Sequence, residues 1–116
     1  MPQISPDKAD NLLVVLTTLP SMEAATTLAK ALVEMHLAAC VQITGGMQSV
    51  YRWEGKVCEA QEVMLSIKTI ASKWESISSY IKEGHPYNLP EILAFTPEQY
   101  EHQYGQWVKS EVNCKT

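Results

Sequence analysis

Two long runs of β-type residues meet at Glu54-Gly55 inside the segment ACVQITGGMQSVYRWEGKVCEAQEVMLSIKTI, Ala39 to Ile70. β-branched and aromatic residues on both sides of a Glu-Gly dipeptide read as a hairpin. A two-residue turn pairs Trp53 with Lys56 and Tyr51 with Cys58. Continued without a break, that register sets Ile43 opposite Ser66 and Gln42 opposite Ile67. Residues directly opposite one another share a face, so this mixes apolar and polar side chains on both faces. One extra residue in the first arm repairs the pattern: Val41 then meets Ile67, and Ile43 meets Leu65. Gly45-Gly46 is the place for such a β-bulge. The repaired register puts Cys40 opposite Lys68, on the face away from a Val41/Ile43/Val63/Leu65/Ile67 core, and keeps Cys40 far from Cys58.

The length of the hairpin constrains what can surround it. At ~3.3 Å per residue each arm, Ala39–Trp53 and Lys56–Ile70, reaches roughly 45–50 Å. The helices expected on either side are shorter, about 20–25 Å, and cover only half of it. The tip half carries Met47, Val50, Tyr51, Trp53, Val57 and Cys58, too apolar to face water without cost, and Met64 lies on the open face. Burial against further copies of the same chain is the simplest solution, and it would also satisfy free strand edges. Tyr51 and Trp53 are the expected interface anchors.

The flanking segments complete the order. Asn11–Thr18 reads as a buried strand stopped by Pro20, and Ser21 as the N-cap of a helix running to about His36. Ser72-Lys73-Trp74-Glu75 has a capping-box pattern opening a second helix, with Trp74, Ile77 and Ile81 on one face and Gly84 placed to end it. Glu91–Phe95 is a short fourth strand. Thr96-Pro97-Glu98-Gln99 reads as a third helix start, with Tyr100, Tyr104, Trp107 and Val108 as its apolar stripe. The order βαββαβα predicts an α/β (α+β) fold: a ferredoxin-like βαββαβ sandwich with an extra C-terminal helix. Its sheet is expected to be antiparallel-mixed, with the helices on one face. Residues 1–10 are expected to be a flexible tail and residues 11–112 a single domain.

Composition narrows the function. With 116 residues, 46% hydrophobic and 19% charged, the chain is expected to fold as one domain. A formal net charge of −4 with no basic cluster argues against nucleic-acid binding. The longest apolar run, Leu12–Leu16, is too short to span a membrane, and the polar N-terminal segment lacks a basic region before it. A cytoplasmic location is expected. The cysteines Cys40, Cys58 and Cys114 form no C-x-x-C pair and are expected to be free thiols.

The segment EGHPYNLPEI, Glu83 to Ile92, holds the most suggestive side chains. Its prolines bias His85 and Leu89 toward extended backbone. His85 reads either as a metal ligand or as a histidine ordering its loop by hydrogen bonds. Cys40 reads as a thiolate ligand or as an inert small hydrophobe, with Lys68 opposite favouring the thiolate. Glu59 and Glu62 point to opposite faces of their strand. Tyr87 either lines a cleft or packs the loop. No nucleophile lies at a recognisable spacing from a base, so an enzyme is not expected. The candidate site is an inter-subunit cleft lined by Cys40, Glu62, Lys68, His85 and Tyr87, expected to hold metal ions or a small ligand. An enzyme using the same cleft and a structural scaffold with no ligand are the alternatives.

LAKALVEMHLAACVQI, SVYRWEGKV, EVMLSIKT, HPYNLPEI and YGQWV, taken together, resemble the CutA family of divalent-cation tolerance proteins. The agreement runs from the first strand through the last helix. The resemblance implies a ferredoxin-like subunit in a tight homotrimer built by its sheets, similar in architecture to PII signalling proteins. It also implies a link to tolerance of copper and other divalent ions. Some bacterial members carry a cysteine where this chain has Thr17, and two histidines where it has Gly84-His85. A soft-metal site built on those groups is incomplete here. Copper or another divalent cation is therefore expected to bind weakly, through His85 or Cys40.

Overall fold

The structure, a computed structural model, describes residues 8–113. The readings that fall on residues 1–7 and on Cys114 lie outside the described residues. The elements run β1 (Leu12–Leu19), α1 (Met22–Glu34), β2 (Cys40–Trp53), β3 (Lys56–Ile70), a 3-10 turn (Ala71–Lys73), α2 (Trp74–Gly84), β4 (Ile92–Phe95) and α3 (His102–Val112). The sheet has strand order β2-β3-β1-β4. Its ladders are all antiparallel, so the expected mixed sheet is not found. β1 and β2 run the same way with β3 between them, the split βαβ arrangement of a ferredoxin-like fold.

The hairpin has the expected register. Trp53 pairs with Lys56, Tyr51 with Cys58, Ile43 with Leu65 and Cys40 with Lys68. Glu54 (φ 50°) and Gly55 (φ 79°) both take positive φ, as a two-residue turn with matching twist requires. The ladder shifts between Thr44 and Met47, where Gly45 and Gly46 stand opposite Val63. Gly46 has φ 72°, a conformation that costs little only without a Cβ.

Alternation divides the sheet into two faces. On the first, Leu13, Val15, Leu19, Val63, Leu65 and Ile67 pack against Ala25, Ala29 and Leu32 of α1 and Ile77 and Ile81 of α2. The small alanines let α1 approach the sheet closely. Ser21 caps α1, accepting from the Ala24 amide at 3.1 Å. His36, at φ 58°, turns the chain out of the helix. Its Nδ1–H donates to the Glu111 carbonyl at 3.0 Å, tying the end of α1 to the end of α3.

Three local expectations are corrected. Ser72 does not cap α2: it lies in the 3-10 turn, and its amide donates to the Ala9 carbonyl at 2.9 Å. α3 starts at His102 rather than near Thr96, because Glu101 is its N-cap, accepting from the Gln103 and Tyr104 amides at 3.0 and 2.8 Å. The Tyr100 ring instead covers Gly105, where any Cβ would collide with it. Nor do the helices share one face. The buried side of α3 is Gly105, Val108 and Val112, and the two valines pack with Leu12 and Ile70, which stand on the second face. Tyr104 and Trp107 flank that stripe and remain exposed.

The tip of the hairpin projects beyond this packing. The subunit measures 44 × 30 × 26 Å. Val50, Tyr51, Trp53 and Val57 are exposed at the tip, as are Leu93 and Phe95 of β4.

Candidate functional site

Pro86 cannot follow a helical residue comfortably, so His85 ends α2 with φ −78° and ψ 138°. Gly84 is the last helical residue, so α2 ends where its position suggested, though without a left-handed φ. The extended backbone carries the His85 ring to β1. Its Nε2–H donates to the Thr18 carbonyl at 2.7 Å, and its Nδ1 accepts from the Tyr87 amide at 3.0 Å. A carbonyl only accepts and an amide N–H only donates, so the ring is assigned as the neutral Nε2–H tautomer. In this arrangement neither nitrogen keeps a lone pair for a metal, and His85 orders the loop.

His85 thereby fixes Tyr87. Their ring centroids lie 4.9 Å apart, tilted by 43°. The Tyr87 hydroxyl donates to Glu62 Oε2 at 3.0 Å. Burial first, then the hydrogen bond and charge of Glu62, push the Tyr87 phenol up to about 12. It therefore stays a neutral donor to Glu62.

Glu62 pairs with Met47 just beyond the bulge, on the second face with Ala60, Ser49 and Tyr51. Between this part of the hairpin and the loop Pro86–Glu91 lies a cleft of about 880 Å³. Thr18, Tyr51, Trp53, Glu62, Tyr87 and Glu91 contribute to its walls. A smaller groove of about 510 Å³ lies beside His85, between the start of α1 and the end of α2, with Glu23 and Glu83 in its lining.

The five residues expected to share one cleft fall into two groups. Glu62, Tyr87 and His85 are joined by the contacts above. Cys40 and Lys68 face each other elsewhere on the sheet. Lys68 lies six residues from Glu62 on β3, roughly 20 Å along the strand. Its ammonium donates to Gln42 Oε1 and Ser66 Oγ, both at 2.8 Å. Within one subunit, therefore, Cys40 and Lys68 do not belong to this cleft. Glu59, on the opposite face from Glu62, accepts from the Gln48 side chain. Among the described residues, no three His, Cys, Asp or Glu side chains form a metal-sized group. Thr17 is fully buried, and its Oγ1 has no hydrogen-bond partner.

Thr18, Asn88 and Glu91 also line the cleft but were not picked out from the sequence. Strand alternation could have found Thr18, since it shares the second face with Met64, its partner on β3. Asn88 and Glu91 sit in the same proline-bounded segment as His85.

The family model described as CutA1 divalent ion tolerance protein matches residues 13–111. The divalent-cation tolerance protein CutA of Thermus thermophilus is 46% identical over 96 residues, 83% of this chain and 93% of that protein. The human Protein CutA is 38% identical over 92 residues, 79% of this chain but 51% of its own length. The chain thus spans nearly all of the bacterial relative and about half of the animal one. Among solved structures, the Thermus protein superposes with a TM-score of 0.84 at 44% identity, covering 86% of this chain and 97% of that one. The CutA of Archaeoglobus fulgidus, described as periplasmic, gives 0.85 at 33% identity, covering 88% and 99%. No helix among the described residues is long and apolar enough to cross a membrane.

Proposed function

Because this chain belongs to the CutA1 divalent ion tolerance family, we propose that it serves divalent metal tolerance as a non-catalytic cytoplasmic homotrimer. Its cleft between Pro86–Glu91 and the hairpin takes a weakly held cation or small molecule. The observation that carries this reading is the Tyr87–Glu62 contact, 3.0 Å long, at the wall of a cleft of about 880 Å³. The groups gathered there are carboxylate, hydroxyl and amide oxygens, which suit hard divalent ions and Cu(II) better than Cu(I). A cleft much larger than an ion also favours a PII-like role, in which a small molecule is the signal. Trimer formation is supported by the apolar residues left exposed at the tip and on β4.

Two measurements test the reading. Light scattering is expected to give three times the subunit mass of 13.0 kDa, and a stable monomer would overturn the assembly. Calorimetric titration with Cu(II) is expected to show weak binding that Glu62→Gln reduces. Binding that depends on Cys40 instead would move the site away from the cleft.

A further inference from the structure

The cleft carries ionisable charge of one sign. Glu62 and Glu91 stand in its lining, and among the described residues no lysine or arginine does. Arg52 lies between the two aromatic anchors in sequence, and alternation sends it to the other face. Tyr87 donates one hydrogen bond to Glu62, but a carboxylate accepts several, so Glu62 retains capacity for a ligand. Burial first, and then the hydrogen bond and charge of Glu62, raise the Tyr87 phenol, so its hydroxyl stays a donor to Glu62 at 3.0 Å.

The remaining walls are unsuited to a bare metal ion. Tyr51 and Trp53 are 45% and 47% exposed, and they line the cleft together with Val50, Leu89 and Pro90. Ring faces offer a metal no lone pair, whereas they take the alkyl part of an organic cation and add some attraction for its charge. The cleft volume of about 880 Å³ is that of a small-molecule site. We propose that the cleft binds a small organic cation, with its ammonium group at the Glu62 and Glu91 carboxylates and its alkyl part against Tyr51 and Trp53. This rests on the reading of the cleft as a ligand site, and it names an amine rather than a metal ion as the occupant. The same rings are expected to border a neighbouring subunit, so the assembled protein is the object to test.

The test is calorimetric titration of the intact assembly with n-butylammonium chloride, n-butanol and sodium butyrate, which match in chain length and differ in charge. Butylammonium is expected to bind at least about tenfold more tightly than the other two, a difference of about 1.4 kcal/mol. Glu62→Gln and Glu91→Gln, which keep side-chain volume, are each expected to weaken it several-fold with no change in assembly mass. Butanol binding as tightly as butylammonium would overturn the inference while leaving the cleft a ligand site. Cu(II) binding that Glu62→Gln reduces, with no binding of butylammonium, would also overturn it and keep the metal reading. If neither the organic probes nor Cu(II) bind, both fall.

Discussion

The two halves of one hairpin differ in everything except their pattern. At the base, Val63, Leu65 and Ile67 alternate with Met64, Ser66 and Lys68 and are 8%, 0% and 0% exposed. At the tip, Val50 and Val57 sit in the same two strands and are 65% and 66% exposed. The strands do not decide this; the cover does. α1 and α2 lie over the base on the first face and end before the tip. Apolar area left in water forgoes about 25 cal/mol per Å², so the base is stabilised by burial within the subunit while the tip gains little from it.

The largest effect that could break this comparison is in the base. Ile67→Ala is expected to cost about 2–5 kcal/mol, whereas Val57→Ala should change the subunit's own unfolding by less than about 0.5 kcal/mol. Urea unfolding at fixed protomer concentration measures both, and equal losses would erase the distinction. Next come the tryptophans. Trp53→Ala should weaken assembly by about 2 kcal/mol or more, seen as a fall in mass on dilution. Trp74→Ala should leave the mass intact and lower subunit stability, because Trp74 packs against the first-face core. The reverse order would place the interface elsewhere.

Smaller changes sharpen the picture. Thr17→Val keeps the shape of the side chain and removes a buried hydroxyl without a partner. It is expected to raise stability by about 1–2 kcal/mol, and a loss would mean that the hydroxyl is satisfied. Gly46→Ala, at the border of base and tip, should cost about 1 kcal/mol. Nothing lies within 4 Å of the added Cβ, so the cost is backbone strain alone, and a neutral result would show that the bulge does not need φ near 72°. The smallest effect concerns the Tyr87–Glu62 contact. A phenol raised from 10.0 to about 12 is held protonated more tightly in the folded state than in the unfolded chain. Its contribution to stability is therefore full below pH 10.0 and is lost as pH rises toward about 12. Near-ultraviolet absorbance of the wild type minus Tyr87→Phe should show this late titration, and Glu62→Gln should bring it down. A Tyr87 that ionises in the ordinary phenol range would remove the contact.

The hairpin, its bulge and its register were legible because each rests on local signals: turn residues, alternation and a glycine pair. The start of α3 was not. Thr96-Pro97 carries the local signature of a cap, but the Tyr100 ring seated on Gly105 leaves Glu101 to open the helix. The second-face position of α3 was equally hidden, since a helix's own stripe does not say which side of a sheet it meets. At the site, Glu62, His85 and Tyr87 were singled out and do meet. Cys40 and Lys68 were grouped with them although the register already set Lys68 six residues from Glu62. Face was read from alternation, while distance along the strand was not. The specific bond between His85 and the Thr18 carbonyl joins residues 67 apart in sequence, and no local pattern encodes it.

The tip is a ladder pinned at both ends, by the bulge at Gly45-Gly46 and by the turn at Glu54-Gly55. Its length can therefore change only in steps. One residue added to each arm would send every side chain beyond it to the opposite face, exchanging Tyr51 and Trp53 for Val50 and Arg52. Two residues added to each arm restore the faces and extend the reach by about 7 Å. Natural insertions and deletions in this hairpin should accordingly come as whole pleats, and its length across lineages should be a graded record of how far each hairpin projects beyond its helices.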